Sequence, residues 1–117
     1  MRWRRRRHES PIQSPDQVDL VTEAQDGTYV LIMVETRPWD GSEERLFELQ
    51  EKINGYLGFV TGGQMAEEYP ESVGRPKRFQ LDCEEPPDEA TGAFLERVRE
   101  MLSPEGIELR VEVLPPD

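Results

Sequence analysis

The stretch Asp40-Gly-Ser-Glu-Glu-Arg-Leu-Phe-Glu-Leu-Gln-Glu-Lys-Ile-Asn-Gly-Tyr-Leu-Gly-Phe-Val60 decides the fold. Leu46, Leu49, Ile53, Leu57 and Val60 recur at helical spacing, with Tyr56 beside them. That pattern predicts one long amphipathic helix with a single apolar stripe. At about 100° per residue Phe47 and Phe59 fall outside the stripe. Gln50 lies at its edge, and Asn54 sits one turn further on. Asp40 or Ser42 is the expected N-cap. Asp40 and Glu43 have the spacing of a capping box, and Glu43 and Glu44 suit the positive end of the helix dipole. Gly62-Gly63 supplies the C-terminal stop. Gly55 and Gly58 each cost a helix up to about 1 kcal/mol relative to Ala. They are therefore expected to mark close backbone approach to another element.

Upstream of this helix, Tyr29-Val-Leu-Ile-Met-Val34 is apolar on both faces, the pattern of a central strand. Asp26-Gly27 reads as a hairpin turn, which pairs that strand antiparallel with one over residues 17–24. Pro38 stops the second strand. Downstream, residues 64–76 form the longest irregular segment, with a helical turn expected over Met65 to Tyr69. Residues 77–83 alternate, with Phe79, Leu81 and Cys83 inward and Arg78, Gln80 and Asp82 outward. A second helix follows Glu84-Glu-Pro-Pro-Asp88 and runs to about Leu102. Its stripe is Ala90, Phe94, Leu95, Val98, Met101 and Leu102. Ser103-Pro-Glu-Gly106 ends it. Ile107, Leu109, Val111 and Val113 then alternate with Glu108, Arg110 and Glu112 in a last strand. The short links of this last β-α-β unit make its strands parallel, whereas the long connection leaves the direction of the third strand open.

The order is thus β-β-α-β-α-β. It predicts an α+β fold, a two-layer sandwich with a four-stranded mixed sheet and two helices on one face. The other face would carry Arg78, Gln80, Asp82, Glu108, Arg110 and Glu112, together with one apolar side of Tyr29–Val34. Water disfavours that apolar strip, so a loop, the N-terminal arm or a second subunit is expected over it.

Length and charge bound the rest. A chain of 117 residues is one domain. We divide it into a disordered basic arm over 1–16, a single domain over 17–114 and a tail over 115–117. The net charge is −11. Outside Arg2, Arg4, Arg5, Arg6 and Arg7 the chain carries 9 basic and 25 acidic residues, a charge of −16. So acidic a body repels nucleic-acid phosphate and anionic lipid and favours a basic partner, or serves only solubility. The Arg-rich arm with Trp3 is the weak exception for nucleic acid, against the plainer reading of a disordered tail. No apolar run is long enough to span a bilayer, and no apolar segment follows the basic N-terminus as in a secretory signal. The single cysteine, Cys83, makes no internal disulfide and fits a reducing compartment, so a cytoplasmic location is expected.

Catalytic chemistry finds little support. The one histidine, His8, lies in the arm, so the body lacks the commonest general base and metal ligand. With one cysteine there is no Cys/His zinc site within one chain. Cys83 reads as a small core residue. The glycines lie within and at the end of a helix, where carbonyls point outward, and not at a phosphate-binding helix start. The pairs Glu67-Glu68, Glu84-Glu85 and Asp88-Glu89 read as solvated loops. We assign no catalytic, cofactor or metal residues. What remains is a candidate partner or ligand surface of Trp39, Gln50, Lys52, Asn54, Tyr69 and Arg75. Arg75, Lys77 and Arg78 are the body's one compact basic cluster. The plainer alternative has Trp39 stapling the approach to the helix, with Gln50 and Asn54 tying down the following loop.

Trp39, Leu49-Gln-Glu-Lys-Ile-Asn-Gly-Tyr-Leu-Gly-Phe-Val60, Gly63-Gln64, Glu68-Tyr69-Pro70 and Glu108-Leu-Arg-Val-Glu112 together resemble a family of small bacterial proteins classed as a domain of unknown function. The resemblance covers residues 16–114. It implies a bacterial source and a small α+β domain, and it carries no functional residue. The family's His-Leu pair is replaced here by Arg45-Leu46, so any role of that imidazole is absent. The sequence therefore reads as a non-enzymatic interaction protein, self-associating through the open sheet face or the glycine-bearing side of the long helix. An immunity or inhibitor protein that neutralises a basic enzyme is the alternative. A small-ligand binder or an enzyme without identifiable catalytic residues is the third.

Overall fold

A computed structural model describes Val18 and residues 20–115. The Arg-rich arm, its Trp3 and His8, and the end of the expected tail lie outside the described residues. The elements are β1 (Leu20–Glu23), β2 (Tyr29–Glu35), α1 (Glu43–Thr61), a short α2 (Gln64–Glu68), β3 (Lys77–Cys83), α3 (Glu89–Leu102) and β4 (Ile107–Val113). Single 3-10 turns follow α2 at Pro70–Ser72 and α3 at Ser103–Glu105.

The four strands form one sheet in the order β1-β2-β3-β4. β1 pairs antiparallel with β2 across the Asp26-Gly27 turn, where Asp26 accepts from the Thr28 amide at 3.0 Å and Gly27 takes φ +89°. Both later pairs, β2 with β3 and β3 with β4, are parallel. That settles the direction of the third strand. Both crossovers step the same way along the sheet. Right-handed crossovers of that kind put α1 and α3 on one face.

The register explains the core. Leu31 aligns with Val21, Phe79 and Leu109, and Met33 with Leu81 and Val111. These share the core with Leu49, Ile53 and Tyr56 of α1 and Leu95, Val98 and Leu102 of α3. The Tyr56 ring meets Phe79 edge-on at 5.7 Å, and its hydroxyl donates to the Ile32 carbonyl at 3.0 Å. Val30, Ile32 and Val34 are in the opposite phase and point to the uncovered face with Leu20 and Thr22. Ile32 and Val34 are half-buried there, and Val30 is buried.

Several details correct the sequence reading. In α1 the buried residues are Arg45, Leu49, Lys52, Ile53, Tyr56 and Phe59. The stripe is thus rotated: Phe59 is inside, whereas Leu46, Leu57 and Val60 are its half-buried flanks. Phe47 is outside as expected. Ser42 is the N-cap, its hydroxyl accepting from the Arg45 amide at 3.2 Å, while Asp40 accepts from the Ser42 amide. The Asp40–Glu43 spacing is therefore not used as a capping box. Gly58 has no neighbouring atom within 4 Å of where a Cβ would stand, so it marks open space and not a close approach. In α3, Thr91 replaces Ala90 in the buried stripe and Met101 is exposed. Asp88 caps α3 by accepting from the Thr91 amide at 2.9 Å.

Candidate functional site

The C-terminal ends of β2 and β3 hold the densest polar chemistry among the described residues. Glu35 is the last residue of β2 and aligns with Cys83 of β3. It continues the inward phase of Leu31 and Met33, so its carboxylate enters the core side of the sheet, where it is fully buried. Such a carboxylate must be paired. The chain turns at Glu35 and brings Arg37 back over it. The Arg37 amide and Nε donate to Glu35 Oε2 at 2.9 and 3.0 Å, and Nη2 donates to Oε1 at 2.7 Å. Helix α1 supplies the other side. Arg45 Nη2 stands 3.1 Å from Glu35 Oε1, and Glu48 accepts from Arg37 Nη2 at 2.9 Å. Arg45 Nη2 has a charge contact there without hydrogen-bond alignment. Its Nη1 donates to the Pro38 carbonyl at 2.5 Å.

Trp39 closes this cluster. The Arg45 guanidinium lies 5.1 Å from the ring centroid, and the indole N–H donates to the Glu85 carbonyl at 3.0 Å. The loop before α1 is thereby tied to the loop before α3. One turn below, Lys52 is fully buried, with its ammonium 5.3 Å from the Tyr56 ring centroid. Within the cluster, ion pairs set Arg37 and Arg45 against Glu35 and Glu48, two charges of each sign. Around it stand Asp40, Glu43, Glu44, Glu85 and Asp88 at the starts of the two helices.

Burial raises the Glu35 pKa, but the Arg37 hydrogen bonds and the charges of Arg37 and Arg45 outweigh it, and the net shift is below the usual carboxylate value. Arg37 is raised by the Glu35 hydrogen bonds, against its own partial burial. Burial pushes the Cys83 thiol up, which keeps it protonated and unreactive. The cluster is a set of matched ions that holds its own geometry.

The six residues singled out by sequence do not form one surface. Lys52 is in the core and cannot serve as a surface donor. Gln50 and Asn54 are exposed on the outer side of α1. Trp39 is half-buried at the C-terminal end of the parallel strands. Tyr69 packs against the core from the connection after α2. Arg75 lies at the opposite end of the sheet, where it pairs with Glu23 at 3.3 Å. Its neighbours in the expected basic cluster are also engaged. Arg78 donates to Glu108 at 2.6 Å, and Lys77 donates to the Ser72 and Arg75 carbonyls. Sequence reading missed Glu35, Arg37, Arg45 and Glu48 as a cluster. The signal was present: an acid in the inward phase of an apolar strand, and charges at 45 and 52 in step with Leu49, Tyr56 and Phe59.

A family profile described as a family of unknown function, DUF6572, matches residues 10–115. The chain belongs to that family. The match takes in the whole sheet and both long helices. No match was found among curated proteins or among solved structures.

Proposed function

We propose that this DUF6572 member is a non-enzymatic interaction protein whose uncovered sheet face is a contact surface, with a second copy of the chain as the first candidate partner. One observation carries the reading. Both long helices cover the same face, so Ile32 and Val34 of the central strand, with Leu20, are only half-buried on a face that carries no second layer among the described residues. Contiguous apolar surface of this kind is characteristic of contact sites. Arg78, Gln80, Asp82 and Glu108 flank it and would form the polar rim. The free Cys83 and the acidic composition fit the reducing cytoplasm of a bacterium.

The test is Val34→Asp, followed by sedimentation across a concentration series with circular dichroism as the fold control. Assembly should weaken while the spectrum is kept. An assembly indifferent to this substitution refutes the sheet face as the contact. A second reading, an acidic immunity or inhibitor protein for a basic enzyme, is favoured by the acidic residues Asp40, Glu43, Glu44, Glu85 and Asp88 in the segments that start the two long helices, which Trp39 ties together. It predicts capture that weakens steeply with salt and is lost on Trp39→Ala.

A further inference from the structure

Among the described residues β4 is an edge strand with no strand on its outer side. The Leu114 amide donates to the Cys83 carbonyl at 2.8 Å, and the Cys83 thiol donates to the Glu112 carbonyl at 3.5 Å. Even-numbered residues of β4 therefore turn their main chain toward β3. Ile107, Leu109, Val111 and Val113 turn theirs outward, and Arg99 Nε reaches the outward Leu109 carbonyl at 3.2 Å. The second half of this edge is also apolar: Val113 is 46% exposed and Leu114 38%. Beside the first half, an open groove of about 480 Å³ is lined by Arg99, Ser103, Gly106, Ile107, Glu108 and Leu109.

We propose that β4 pairs antiparallel with β4 of a second copy about a two-fold axis through Val111, giving a continuous eight-stranded sheet. Several symmetric registers fit the outward main-chain groups, and the side chains choose among them. A register centred on Arg110 sets Arg110 against itself and Glu108 against Glu112, and like charges directly opposite are destabilising. One centred on Leu109 sets Arg110 against Glu108 but leaves the exposed Val113 beyond the paired strand. Centred on Val111, Arg110 of each copy faces Glu112 of the other, so each charge pair occurs twice. Val113 of each copy then faces Leu109 of the other. Opposite residues share a face, so Val113 stands on the helix side beside the groove. The exposed residue at one end of the strand thus meets the empty space at the other end, as an isologous contact requires. The Leu109 carbonyl keeps a second lone pair for the incoming amide.

This inference rests on the reading of the chain as an interaction protein, and it names a different surface from the sheet face. The experiment is sedimentation equilibrium up to about 1 mM protein, with Arg110→Glu, Glu112→Arg and the double exchange. Each single change turns two attractive pairs into two repulsive ones. Each should raise the dimer dissociation constant about ten-fold or more. The double exchange should restore it to within about three-fold. Both residues are exposed, so folding is kept. Amide exchange at Val111 and Val113 should also slow as protein concentration rises. A chain that stays monomeric throughout overturns the dimer, and leaves the sheet face to a different partner. A dimer that Val34→Asp weakens but the charge exchanges do not overturns the edge pairing while keeping the proposed function.

Discussion

Replacing Glu35 with Gln removes one charge from a site where solvent cannot replace it. The side chain keeps its shape and one acceptor oxygen. What changes is the electrostatics around Arg45, whose side chain is 10% exposed, and Arg37, at 29%. Removing one partner of a buried ion pair costs about 3–5 kcal/mol, because the remaining charge is left uncompensated. Here the loss of Glu35 leaves Arg37 and Arg45 with Glu48 as their shared carboxylate partner, so the upper half of that range applies. A domain of this size has a total stability of roughly 5–15 kcal/mol. The variant should therefore melt on the order of 20 °C lower. Urea unfolding at pH 7, followed by circular dichroism, measures the loss. The double variant Glu35→Gln with Arg45→Met should lose clearly less than the two single losses added together, because the buried charge and its partner leave at once. The pH dependence has a fixed sign. The folded-state pKa of Glu35 lies below its ordinary value of 4.5. Its contribution is present above pH 4.5 and is lost as pH falls through the folded value. Glu35→Gln should abolish that share of the acid sensitivity. A loss under about 1 kcal/mol at pH 7, the size of an exposed pair, would refute the claim that solvent cannot replace the Glu35 charge.

Other substitutions follow from local geometry. Ser42→Ala and Asp88→Ala each remove a side-chain N-cap and should cost about 1 kcal/mol, read by urea midpoint. Gly58→Ala should stabilise by about 0.5–1 kcal/mol, since a helical Cβ meets nothing there. Gly27→Ala should do the reverse, because its φ of +89° disfavours a side chain and a Cβ would meet the Arg75 guanidinium. Cys83 should resist thiol-specific alkylation in the folded protein at pH 8 and react on unfolding; reaction at the rate of a free thiol would contradict its burial.

Element type and order were legible because they rest on local pattern. Period-two alternation set β3 and β4, and the apolar run Tyr29–Val34 marked the central strand. The direction of β3 was not legible, since residues 62–76 are long enough to return the chain either way. The rotation of the α1 stripe was missed for a different reason. Arg45 and Lys52 count as polar in any periodicity, yet a partner from another element lets Arg45 lie inside, and the Tyr56 ring sits beside Lys52. That partner, Glu35, is ten residues away from Arg45 in sequence and on another layer, so no window on the helix contains it. The same rotation carries Phe59 inward. In α3, Ala90 and Thr91 compete for one position on the stripe, and Thr91 is the one in step with the buried Leu95, Val98 and Leu102. The candidate surface failed as a group because sequence proximity to α1 says nothing about which end of the sheet a residue occupies.

Parallel α/β sheets keep their ligand crevices outside the carboxyl ends of the strands, where the strand order reverses and adjacent crossovers part to opposite faces. This sheet has no reversal. β2, β3 and β4 follow in order, both long helices lie on one face, and the carboxyl ends of β2 and β3 receive Glu35, Arg37, Arg45 and the Trp39 ring. The position that would hold a ligand in a doubly wound sheet is filled by the chain's own ions. Moving both helices to one side leaves the other side of β2 without a helix among the described residues and leaves β4 as an edge. The topology that closes the crevice is thus the one that opens a face and an edge. The proposed contact role uses that face and that edge, and substitutions around Val34 and around Val111 should separate one partner from another.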